Sequence, residues 1–198
     1  MPMKASKTKM AIEELMEKAE FHADESLHVG CNATPTLYIR CHDGTTTGYT
    51  LGDEINDKNK KALATNTGLM CMAHGAEAAV LCIEAGMRRD EKCKTDDLSA
   101  PAAGSSEQQE IVILLGESRE ESFQRVLPIL RMDDGQYFRF GKERDIHEAK
   151  VEGQIGTFLS AEIPDEQARQ EAKSVLEAQG IFPINGKKRG RELGMAWF

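Results

Sequence analysis

Between residues 77 and 141, apolar runs of strand length recur between short polar turns. Glu77–Ala85 (EAAVLCIEA), Glu110–Gly116 (EIVILLG), Ser122–Met132 (SFQRVLPILRM) and Gln136–Gly141 (QYFRFG) predict four consecutive strands of one antiparallel sheet. Turns fall at Glu117–Glu121 and at Asp133–Asp134–Gly135. Pro128 lies inside a strand and cannot donate to a ladder, so that strand is expected at an edge or with a bulge. Upstream, Leu37, Ile39 and Cys41 alternate with Tyr38 and Arg40, and Asp43–Gly44 separates them from Tyr49 and Leu51. This predicts a hairpin over 36–51.

Helical spacing replaces alternation elsewhere. Ala11, Ile12, Leu15, Met16 and Ala19 form one stripe within 8–25, with Glu13, Glu14, Glu17, Lys18 and Glu20 on the other, read as a solvated face. A second helix, capped by Asp53 or Asp57, carries Ala62, Leu63, Leu69, Met70 and Ala73 and stops at Gly75. A third spans Asp165–Gln179 and stops at Gly180. Gly153–Ile163 is a candidate further extended piece. Helices grouped before and after antiparallel strands define an α+β fold. The expected architecture is an antiparallel sheet of five or six strands, with the two N-terminal-half helices on one face and a C-terminal helix. One domain is expected over 1–185, with a mobile polar insertion at 88–109 and a separate tail at 186–198.

The stretch from Thr36 to Arg131 resembles a loose group of uncharacterised small bacterial and phage α+β proteins. The pieces that carry the resemblance are Pro35–Ile39, Asp43–Gly44, His74–Gly75–Ala76, Glu84–Ala85–Gly86 and Gly116–Glu117–Ser118. The piece Glu84–Ala85–Gly86 has Gly86 where the group often has an aromatic. The resemblance implies an α+β fold and an origin in a phage or mobile element. It brings no catalytic residue with it.

Composition narrows the function. The 198 residues include 40% hydrophobic and 29% charged residues, ordinary for a globular chain. A formal net charge of −8 disfavours a body that engulfs nucleic acid. No stretch approaches the roughly 18 apolar residues of a membrane span. Basic residues in MPMKASKTKM are followed by a Glu-rich helix where a signal peptide needs an apolar core, so the expected address is cytoplasmic. Five cysteines (Cys31, Cys41, Cys71, Cys82 and Cys93) lack the spacing of a disulfide framework and are read as reduced thiols.

Three constellations could carry function. Cys71, His74 and Cys82 supply sulfur and nitrogen at a helix end and the next strand, so zinc is one candidate; Cys41, His42 or His28 would complete the set. Against it, buried thiols in apolar runs and a histidine at a helix C-terminus need no metal. Asp133 or Asp134 with Glu148 and Lys150 could hold magnesium for a metal-dependent hydrolase or nuclease. Acid-x-Lys also occurs at Asp90–Lys92 and Glu171–Lys173, and the Asp-Asp-Gly turn explains the acids locally. No GxSxG elbow or phosphate loop is present. His22, His28 and His147 are expected to be solvent-exposed.

The third constellation is the tail. Lys187, Lys188, Arg189 and Arg191 precede Met195, Trp197 and Phe198. Cations beside aromatics suit a partner's groove or, through the tail alone, nucleic acid. The tail could instead fold back onto the acidic body. The leading expectation is a non-enzymatic cytoplasmic binding module that meets a protein partner or a second copy, with no cofactor and no membrane contact.

Overall fold

The computed structural model describes residues 3–52, 60–88, 108–142, 158–160 and 162–184. Three helices and six strands follow in the order α1 (Met3–His28), β1 (Thr36–Cys41), β2 (Thr46–Thr50), α2 (Lys60–Ala73), β3 (Ala76–Arg88), β4 (Gln108–Ser118), β5 (Ser122–Arg131), β6 (Tyr137–Phe140) and α3 (Glu166–Ala178). The strands form one antiparallel sheet, β2-β1-β3-β4-β5-β6. The α+β class and the six strands agree with the sequence pattern.

The helices do not share a face. Along β3 the side chains alternate: Ala78, Val80 and Cys82 pack with α1, whereas Ala79 and Leu81 pack with α2 and α3. Ile12, Leu15, Met16, Ala19, Ala23 and Leu27 form the buried stripe of α1 against the first face. Met70, Cys71 and Ala73 of α2, with Ala172 and Leu176 of α3, cover Leu37, Ile39 and Leu81 on the second. The sheet is therefore the middle layer of three. A central strand buried on both faces must be apolar at consecutive positions, as AAVLC is, so the expectation of a single helical face is corrected.

Local chemistry sets the element ends. Asp165 caps α3, its carboxylate accepting from Ala168 N at 2.8 Å. Gly75 ends α2 at φ +55°, a conformation costly for residues with a Cβ, and its N–H meets Met72 O at 3.1 Å. The candidate caps Asp53 and Asp57 lie outside the described residues. Strands β3 and β4 run further than their apolar centres, pairing as far as Arg88↔Gln108, so the ends of the expected 88–109 insertion belong to the sheet. The rest of that insertion lies outside the described residues.

Pro128 tolerates its place because β6 pairs only with the last residues of β5, Ile129 to Arg131. Toward β6 it offers only its carbonyl, which accepts from Gly141 N at 2.7 Å. In 153–163, Phe158–Ser160 is irregular chain and not a strand, and the positions before it lie outside the described residues.

Acids of α1 reach the sheet, Glu14 and Glu20 of the expected solvated face among them. Glu14 pairs with Arg40, Glu20 with Arg125 at 3.0 Å, and Asp24 accepts from the Tyr137 hydroxyl. These contacts are half-exposed, so each adds less than about 1 kcal/mol, and they serve mainly to fix the helix in register over the sheet.

Candidate functional site

Of the acidic set, only Asp133 and Asp134 are described, and both sit exposed in the β5–β6 turn. Asp134 Oδ1 accepts from Gln136 N at 2.9 Å, and Met132 N donates to Gln136 O at 2.8 Å. That is the chemistry of a hairpin turn. Glu148 and Lys150 lie outside the described residues. So do the tail residues Lys187, Lys188, Arg189, Arg191, Trp197 and Phe198.

The candidate zinc set does not converge. Cys82 points toward α1, while Cys71 lies on α2 across the sheet. His74 is instead hydrogen-bonded through Nε2 to Tyr49 Oη at 2.6 Å. Burial, then the nearby Lys173, lowers the His74 pKa below that of a free imidazole, and burial pushes the Tyr49 phenol up to about 12. Both groups are therefore neutral near pH 7. Because the folded pKa of His74 is depressed, the unfolded chain binds the extra proton in the window just below the ordinary histidine value. The stability held at neutral pH is lost as pH falls through that window. Urea titrations at pH 5 and pH 7.5 are expected to show a smaller acid loss in His74→Gln than in the parent.

The described thiols divide by exposure. Cys31 is exposed, and Cys41, Cys71 and Cys82 are buried. Burial raises all three buried thiols, Cys82 to about 12, so little of the reactive thiolate forms. Iodoacetamide labelling of the native protein, read by peptide mass spectrometry, should modify Cys31 at least tenfold faster than these three, with the difference vanishing in urea. Of the histidines expected in solvent, His28 is exposed and stacks edge-on to Tyr137 at 4.8 Å. His22 is half-buried near Tyr38, and His147 lies outside the described residues.

The most unusual buried group was not among the candidates. Glu117, 5% exposed on β4, accepts from the backbone N–H groups of Phe158 and Leu159 at 2.8 and 3.2 Å. Burial raises its pKa, with the two N–H groups pulling the other way. Arg119, two residues on and just past the end of β4, donates to Ala76 O at 2.8 Å and Ser160 O at 3.3 Å. Together they clamp the irregular chain at 158–160 against the sheet. Beside the clamp is a cleft of about 230 Å³ whose walls include Gly68, Cys71, Met72, Phe158, Leu159 and Pro164. Its walls are mostly apolar, and its one thiol is held protonated by burial and by the Glu117 charge. That environment suits an apolar side chain better than bond-making chemistry.

A second feature lies at the far end of β5. Leu130 pairs with Arg139 but Arg131 with Tyr137, so Phe138 is an extra residue, a β-bulge in the outer strand. Phe138 is 54% exposed, and the Arg139 guanidinium sits 5.2 Å from its ring centroid. No ion pair engages Arg139 among the described residues. The sequence signal was the QYFRFG run, where three aromatics crowd a four-residue strand.

No helix is long and apolar enough to cross a membrane among the described residues. Neither the family models, nor the curated proteins, nor the solved structures contain a match to this chain.

Proposed function

We propose that the chain is a non-enzymatic binding module, a cytoplasmic accessory protein of phage or mobile-element origin that works through contact with another protein. The observation that carries this reading is the exposed Phe138–Arg139 pair on a bulged outer strand. Bulges re-aim side chains, and aromatic and arginine side chains dominate the energetics of protein contacts. The bulge and the short length of β6 also discourage open-ended strand addition, so the contact is a side-chain docking event. The commitment of Glu117, His74 and the buried thiols to structural contacts supports the same reading. The tail residues Lys187, Lys188, Arg189, Arg191, Trp197 and Phe198 offer the same residue chemistry and are proposed as a second contact.

The test is affinity capture from nuclease-treated source cells with three baits: the full chain, Phe138→Ala, and a chain ending at Asn185. A protein retained by the full chain and lost from at least one variant is the expected result. Recovery indistinguishable from an unrelated bait in all three would overturn the reading.

A further inference from the structure

We infer that the Phe138–Arg139 knob docks into the Glu117–Arg119 cleft of a second copy of this chain. The inference deepens the binding-module reading and rests on it, since it names the partner for the same surface. The two features are complementary in shape and polarity. The knob is a phenyl ring more than half exposed, and the cleft is a mostly apolar opening of about 230 Å³ between Met72 and Phe158. That is room enough for one aromatic side chain.

They are complementary in charge as well. Arg139 lies over Phe138, and no acid pairs with it among the described residues. Two exposed glutamates are chain neighbours of the cleft's lining residues: Glu120 follows Arg119, and Glu162 lies between Ser160 and Pro164. Arg119 itself is engaged with Ala76 O and Ser160 O. A Phe138 ring entering the cleft would carry the Arg139 guanidinium toward the chain segments that hold these two exposed carboxylates.

The knob of one chain cannot fill the cleft of that same chain. Knob and cleft sit at opposite ends of β5, Ser122 to Arg131, which at strand rise places them roughly 30 Å apart. A knob seated in this cleft therefore comes from another molecule. The sheet ends themselves are poor dimer surfaces: β2 already accepts a chain segment, with Ile184 N donating to Gly48 O at 2.7 Å, and β6 is bulged. Knob-into-cleft contact avoids both sheet edges.

Sedimentation velocity of the full chain between about 1 and 100 μM tests this, a range that brackets a micromolar contact. The parent should associate with rising concentration. Phe138→Ala should weaken association about 30-fold or more, as loss of a central aromatic anchor does. Gly68→Phe should do the same by filling the cleft; a Cβ at Gly68 meets only Phe158 O at 3.8 Å, so the substitution starts from the helix without a Cβ clash. The decisive sample is an equimolar mixture of the two variants, one with an intact cleft and one with an intact knob. A 1:1 complex in the mixture, with each variant alone monomeric, is the expected result. A monomeric parent at the highest concentration, variants that associate like the parent, or a mixture that stays monomeric would each overturn the inference. If the parent is monomeric while Phe138→Ala still loses a captured protein, the binding-module reading stands with a different partner.

Discussion

Glu117→Ala is expected to cost about 2–4 kcal/mol of folding free energy, because it strands two buried backbone donors at once. The carboxylate accepts from Phe158 N and Leu159 N, both in a segment without helix or strand partners of its own. Without Glu117, those N–H groups face apolar side chains and the 158–160 chain loses its hold on β4. Glu117→Gln keeps one acceptor oxygen and should cost less. The pH dependence separates the two variants from the parent. Burial raises the folded pKa above the ordinary glutamate value, so in the interval between the two the folded state holds a proton that the unfolded chain has released. This contribution to stability is fully present below the unfolded value and is lost as pH rises through the folded one. Both variants should lack that decline. Urea denaturation followed by circular dichroism from pH 4 to pH 8 measures all three.

The second large effect concerns how α1 lies on the sheet. Gly116 faces α1, and a Cβ built there would stand 2.7 Å from Met16 Cε and 2.9 Å from Ile12 Cγ2. Met16 ends in a flexible thioether and can move; the branched Ile12, 1% exposed, has nowhere to go. Gly116→Ala is therefore expected to cost about 1–3 kcal/mol by overpacking. Ile12→Ala should cost about 2–5 kcal/mol through the cavity it leaves. In the double variant the added methyl occupies part of that cavity, so the two costs should sum to at least 0.5 kcal/mol more than the measured loss. Strict additivity would mean that α1 does not cross β4 at Gly116.

Much of this architecture was readable from the chain because burial imposes period. The α1 stripe, the Asp43–Gly44 and Asp133–Asp134–Gly135 turns and the stop of α3 at Gly180 all follow from local rules, and all are present. The placement of α1 and α2 on opposite faces was coded less directly. Its mark is the absence of alternation in Ala78–Cys82, which means cover on both sides and can also be taken for a generic apolar strand.

Glu117 was hidden by its setting. Gly116–Glu117–Ser118 reads as turn punctuation, yet the strand runs through it, and Glu117 follows Ile111, Ile113 and Leu115 on the same face. Counting by twos from Ile111 would have flagged a carboxylate on an apolar face. Cys71 and Cys82 failed as a metal pair for the complementary reason: proximity in sequence cannot report that a sheet lies between them. The bulge at Phe138 depends on the pairing partner, which no local pattern specifies.

Contact through Phe138 or the tail is the proposed mode of action. Site-specific photo-crosslinking in the source cells tests it most directly, with benzoylphenylalanine placed singly at Phe138, at Trp197 and, as a control, at Phe21. Phe21 is 67% exposed on α1 and belongs to no proposed contact. A discrete protein adduct from Phe138 or Trp197, absent from Phe21, is the predicted result; the same pattern from all three positions, or no adduct from any, would contradict it.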